Sequence, residues 1–217
     1  MSDSFESPKF LVRQTRENIS EFDAICTSLF QGKSYTELVD VDAQTGNKTV
    51  KIKFTQTIPD RARHIVGTAI SDLRHSLDQA VCASVELVTG TDPGKLYFPF
   101  ATNPNDLDGR LIKSFPKELH SIFRTFEPYP TGNHVGGNDL LCALSHAAGP
   151  NKHRVTCHVE ARMPNWRGNS TRVNGLAVKL FIPPVWDSSK NEMTIAVIAS
   201  DAQIQYDFNV TAYIALS

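Results

Sequence analysis

The sequence predicts an α+β fold, helical through its first two thirds, with those helices packed on a C-terminal antiparallel sheet and a hairpin inserted near the N-terminus. Three observations carry this. Apolar residues recur at steps of three and four through most of the stretch from Pro8 to Ala148, the period of a helix with one buried face. From His153 onward the period falls to two, with Val155, Cys157, Val159 and Ala161 alternating with polar residues, as a half-buried strand requires. Finally, strands and helices do not alternate along the chain, which argues against a parallel sheet with crossover helices.

The first helix is expected over about Pro8 to Gln31. Ser7-Pro8 is a start signal, because serine caps free amides and proline in the first turn has no amide to lose. Leu11, Ile19, Phe22, Ile25 and Leu29 mark its apolar face and Gly32 its stop. Ser34 to Val41 and Lys48 to Thr57 then alternate around Gln44-Thr45-Gly46-Asn47, a hairpin spanning 34–57. The longest helix, about 59–88, opens at Pro59-Asp60. It carries an unbroken stripe through Ala62, Ile65, Ala69, Leu73, Leu77, Val81 and Val85, and closes at Thr89-Gly90.

Lys95 to Asn105 reads as an extended connector that buries aromatics, since each proline biases its predecessor away from helix. Two short helices are expected near Asp106 to Lys113 and Pro116 to Phe126, then a turn-rich stretch from Glu127 to Asn133. A last helix covers about Asn138 to Ala148, and Gly149-Pro150 is expected to end it sharply. Beyond it, strands are expected up to Ala161 and over Leu176 to Ile182, Met193 to Ser200 and Ile204 to Leu216. The expectation is a single domain, 1–217, in which residues 1–150 are helical apart from the hairpin and residues 153–217 form the sheet.

Composition narrows the function classes. Hydrophobic residues make up 41% and charged residues 21% of the 217, close to the globular average. Twenty-two Lys and Arg balance 23 Asp and Glu for a formal charge of −1, so no global basic field concentrates nucleic acid and any such contact must be local. The acidic N-terminal segment lacks the apolar core of a signal peptide, and no later run is long enough to span a bilayer. The expectation is a cytoplasmic protein with no membrane association. Four cysteines without framework spacing suit reduced thiols, with Cys26 and Cys82 in or near the core.

Two constellations could carry chemistry. On the long helix, Arg74 and Asp78 lie one turn apart and one step from the Leu73–Leu77 seam, so their charged heads are expected at the edge of the core or in a cleft. A plain intrahelical ion pair explains the same spacing. A polar stripe of His64, Thr68, Ser71 and His75 climbs the same helix, and a solvated face accounts for it equally well. The second constellation is Asn151-Lys152-His153-Arg154, where adjacent donors suit phosphate or carboxylate, or where cations simply complement the carbonyl end of a helix.

Other chemistries find less support. Cys142 and His146 share a helix face and Cys157-His158 could add a ligand, but neither Cys-x-x-Cys nor His-Glu-x-x-His occurs, so no metal and no cofactor is assigned. A nucleophile elbow, a phosphate loop and a dinucleotide fingerprint are missing too, and Gly136-Gly137 stands as a pair without the rest of such a loop. Arg162, Arg167 and Arg172 around Trp166 offer a basic and aromatic loop that could stack on bases or stay solvated.

Taken together, the Leu73-Arg74-His75-Ser76-Leu77-Asp78-Gln79 helix, the Phe126-Glu127-Pro128-Tyr129 segment and Leu144-Ser145-His146 with Asn151 to Arg154 resemble a widespread uncharacterised bacterial family. That family has Leu-Arg-x-x-Leu-Asp-His, Gln-Pro-Tyr and Asp-Lys-His-Arg motifs. The resemblance covers about Arg61 to Arg154 and implies organisation rather than an activity. Arg74-His75 also resembles the helical site of HEPN-type ribonucleases, but Gln79 stands where that family's helix offers histidine, and glutamine cannot move a proton near neutral pH. His64, His75 or His153 would have to substitute.

The resulting expectation is a bacterial or phage-borne protein that binds an anionic ligand, RNA or a nucleotide, in a cleft at the helix–sheet junction. In its enzymatic form it is an altered ribonuclease of defence or stress. Arg74, Asp78, Asn151, Lys152 and Arg154 would bind, and His153 or His75 would carry the proton. The rival expectation is a non-catalytic interaction protein in which these residues form a buried polar network. A protein partner or a homodimer is compatible with either.

Overall fold

The structure, a computed structural model, describes residues 3–30, 35–151, 159–162, 172–174, 178–187, 189–201, 203–205 and 213–216. In chain order the elements are α1 (Glu6–Phe30), β1 (Tyr35–Val41), β2 (Lys48–Phe54), α2 (Asp60–Thr89), α3 (Pro104–Ser114), α4 (Lys117–Thr125) and α5 (Asp139–Asn151). They continue with β3 (Val159–Arg162), β4 (Arg172–Asn174), β5 (Val178–Asp187), β6 (Glu192–Ile198), β7 (Gln203–Gln205) and β8 (Tyr213–Leu216). The fold is α+β, as the change of period predicts. Among the described residues no helix is long and apolar enough to cross a membrane.

The chain forms two compact units, Met1–Glu21 with His64–Thr156, and Phe22–Arg63 with Cys157–Ser217. The divisions fall inside α1 and α2.

The second unit is built on a four-stranded antiparallel sheet of order β1-β2-β6-β5. The hairpin is therefore not an appendage of the helices but half of this sheet. Its register pairs Val39 with Val50 and Glu37 with Ile52, and β2 then places Val50 opposite Ala196 and Ile52 opposite Met193. Val50, Ile52, Ala196 and Met193, with Phe54, Ile195 and Ile198, form the unit's core, and Trp186 closes edge-on against Phe54 at 5.6 Å. The hairpin turn follows from Asp42, whose carboxylate accepts the Gln44 and Thr45 amides at 2.9 and 2.8 Å, an Asx turn. Gly46 completes it at φ +70, a conformation that favours glycine.

One expectation about the strands changes. β5 runs on through Pro183 and Pro184 to Asp187, with a register break between Leu180 and Val185. Proline fits there because β5 is the sheet's outer strand, where a missing amide leaves no ladder bond unmade. Of the expected last strand, Ile204 and Gln205 lie in β7, paired with β4, and Tyr213–Leu216 form β8, paired with β3; 206–212 lie outside the described residues.

In the first unit, Val81 and Val85 of α2 pack with Phe98, Leu107, Leu111, Leu119, Phe123 and Tyr129. α3 begins at Pro104, two residues earlier than the expected start. Asn103 caps it by accepting the Asp106 amide at 2.9 Å, and the Asp106 carboxylate reaches back to accept the amide of Thr102, the residue before the cap, at 2.9 Å. Pro104 thus acts as a first-turn residue, whose absent amide is one the helix leaves free anyway. At the other end, α5 continues through Gly149 and Pro150 to Asn151 instead of stopping before them. Glycine before proline lacks the Cβ whose clash normally forbids helix at that position.

Candidate functional site: a polar clamp beside a cavity in the helical unit

α2 sets Arg74 and Asp78 one turn apart on the flank of its apolar stripe, and both heads are largely withdrawn from water, with side-chain exposures of 16% and 12%. The Arg74 Nε lies 3.4 Å from Asp78 Oδ2. The other carboxylate oxygen, Oδ1, accepts the buried Phe98 amide at 2.8 Å, which pins the extended connector after α2. Arg74 Nη1 donates to the Ser145 hydroxyl on α5 at 3.1 Å, and its guanidinium carbon sits 4.2 Å from the centre of the Phe100 ring, a cation–π stack. One guanidinium therefore holds α2, the connector and α5, which is the work of a planar fork rather than a point charge.

Ser145 also lines a cavity of about 250 Å3. Its apolar wall is Phe100, Ala101, Pro130 and Cys142. Arg110, Ser145, His146 and Thr102 supply polar groups. Arginine has no acceptor, so the Ser145 oxygen must be the acceptor of the Arg74 bond, and its own proton is left to be donated elsewhere. The positive charge behind that oxygen makes the hydroxyl a stronger donor. Arg110 is steadied by its Nε bond to Asp106 at 3.0 Å. That contact, followed by the Thr102 amide, holds the Asp106 carboxyl below the usual aspartate value.

Cys142 and His146 face the same cavity, as their four-residue spacing implies, but the thiol is not a ready nucleophile. Burial, reinforced by Asp139, pushes its pKa up, which favours the neutral thiol over the thiolate. Cys157 and His158 lie outside the described residues, and among those described no group of three His, Cys, Asp or Glu could hold a metal ion.

Of the residues singled out from the sequence, Arg74 and Asp78 come together. His75 and His64 are exposed on α2, and His75 lines neither this cavity nor a second one of about 370 Å3 that includes Asp78 and Gln79. Gln79 accepts a hydrogen bond from Ser7 at 2.8 Å. The Asn151 backbone ends α5, while Lys152, His153, Arg154, Trp166 and Arg167 lie outside the described residues. Sequence reasoning missed Arg110, Phe100 and Ser145 as site residues. Only Ser145 left a signal, standing beside His146 one turn from Cys142.

No known protein family, curated protein or solved structure matches this chain.

Proposed function

We propose that the chain binds a small anionic ligand in the cavity of its helical unit, with Arg110, Ser145 and His146 as the contacting groups and Arg74 acting through Ser145. The observation that supports this most is the double role of Ser145. Its oxygen is taken by Arg74 from behind while its hydroxyl lines a cavity whose polar residues include Arg110 and His146 and no carboxylate. Such a lining, with a guanidinium and no carboxylate of its own, favours an anion over an ammonium group. The cavity, about 250 Å3, is smaller than those that hold drug-sized ligands, about 300 Å3 and upward. It suits one nucleotide moiety or a compact anion better than a strand of RNA.

Arg74 and Asp78 belong, on this reading, to the framework and not to the contact surface. Their named partners are all internal, which favours the polar-network reading for this pair. His75, exposed on α2 and outside the cavity, is not among the contacting groups.

Equilibrium binding of a labelled mononucleotide and of small anions, with a primary ammonium compound as control, tests the proposal on wild type, Ser145→Ala and Arg110→Gln. The expected result is anion binding that both variants weaken at unchanged melting temperature. Binding of the ammonium compound, or anion binding indifferent to both substitutions, would overturn it.

A further inference from the structure

Resting on the anion-binding reading, we infer that the ligand class is a monocarboxylate with a compact apolar body, such as a single aromatic ring or a short branched chain, and not a phosphoryl group. The donors and acceptors around the cavity decide between these.

A phosphate carries several oxygens and is usually met by a nest of free backbone amides, a helix N-terminus or more than one guanidinium. Here the amides of the lining connector are all engaged. The Phe100 amide donates to the Phe98 carbonyl at 2.8 Å and the Ala101 amide to the Pro128 carbonyl at 2.8 Å. The Thr102 amide donates to Asp106 Oδ2 at 2.9 Å. Pro130 has no amide, and Cys142, Ser145 and His146 sit inside α5, with the Cys142 amide given to the Asn138 carbonyl at 3.1 Å. The Thr102 hydroxyl is occupied as well, by Asp106 Oδ2 and Asn103 Nδ2, both at 3.2 Å.

What remains is side-chain donors alone: the Ser145 hydroxyl, the His146 ring and the Arg110 nitrogens beyond Nε. Those match the two oxygens of a carboxylate, which accepts from a fork and one or two further donors. The fused walls give the body of the ligand its character. Phe100, Ala101, Pro130 and the neutral Cys142 thiol offer apolar surface to a flat or branched hydrocarbon.

The test is a chemical-shift titration of the full-length, 15N-labelled chain with benzoate, benzamide, inorganic phosphate and adenosine monophosphate as separate probes. It is run on wild type, on Ser145→Ala and on Ala101→Leu, which fills the cavity. Benzoate is expected to saturate with shifts centred on Ala101, Cys142 and Ser145. The other probes should bind at least about tenfold more weakly, and both substitutions should remove the benzoate response. If phosphate or the nucleotide binds more tightly than benzoate, and Ser145→Ala still removes that binding, the carboxylate inference is wrong while the anion-binding reading stands. If no probe shifts these residues, both are wrong. Should Ala101→Leu fail to fold, Ser145→Ala, which deletes one oxygen, decides by itself.

Discussion

The Asp78 carboxylate divides its two oxygens between unlike partners: Oδ1 takes the buried Phe98 amide at 2.8 Å and Oδ2 faces the Arg74 guanidinium at 3.4 Å. One side chain thereby satisfies a backbone donor that would otherwise be orphaned and balances a charge that would otherwise be withdrawn from water alone. The shorter contact is the amide's, so the backbone bond, not the ion pair, is the stronger claim on this residue.

Asp78→Ala should therefore cost about 2–3 kcal/mol, since it strands both a buried amide and a mostly buried cation. Asp78→Asn keeps an acceptor for Phe98 and should cost less than half of that. Urea unfolding of the two variants measures the difference. Equal losses would mean that the charge pair, and not the amide bond, carries the stability.

Asp106 holds Arg110 through a 3.0 Å bond and keeps it partly neutralised beside the cavity. Asp106→Asn preserves an acceptor for the Thr102 amide while removing the negative charge, so anion affinity should rise about two- to fivefold. Binding titration at neutral pH checks this. Unchanged affinity would place Arg110 outside the contact set.

In the β-sheet unit, Lys51 reaches Asp40 at 2.5 Å and Glu192 at 3.5 Å. Its pKa is raised, chiefly by the Asp40 hydrogen bond and against the effect of burial. A lysine whose folded pKa exceeds its unfolded one contributes stability that is fully present below the unfolded value, near 10.5. That stability is lost as pH climbs through the folded value. Melting temperature should accordingly drop above that pH, and Lys51→Met should flatten the alkaline decline. The effect is small because Asp40 is 60% exposed.

Gly137 stands at φ +119, and a Cβ there would come within 2.7 Å of the Thr131 amide nitrogen. Gly90 shares a positive φ, +71, but has open space around it. Gly90→Ala should cost about 1 kcal/mol from backbone strain alone, whereas Gly137→Ala adds a clash with backbone that cannot swing aside and should cost about 3 kcal/mol or more. Thermal melts of the pair separate the two contributions.

The elements of the fold that local pattern determines were readable in the sequence. α2 follows from its stripe and α1 from its periodicity, and the hairpin follows from Asp42 to Asn47. Prolines were harder, because the same residue breaks a helix interior, starts a helix at Pro104 and sits in an outer strand at Pro183 and Pro184. Only tertiary placement separates these cases. The site divides the same way. Arg74 and Asp78 announced themselves by helical spacing beside Leu73 and Leu77. Phe98 lies 20 positions from Asp78 and Ser145 lies 71 from Arg74, so their convergence depends on how α5 and the connector pack, which no local period encodes.

The most direct test of the account is a double-mutant cycle on benzoate affinity with Ser145→Ala, Arg74→Met and the combination, each confirmed folded by its melt. If Arg74 acts through the Ser145 hydroxyl, each single change weakens binding and the double variant binds about as weakly as Ser145→Ala alone. Losses that simply add, or a Ser145→Ala variant that binds like wild type, would contradict it.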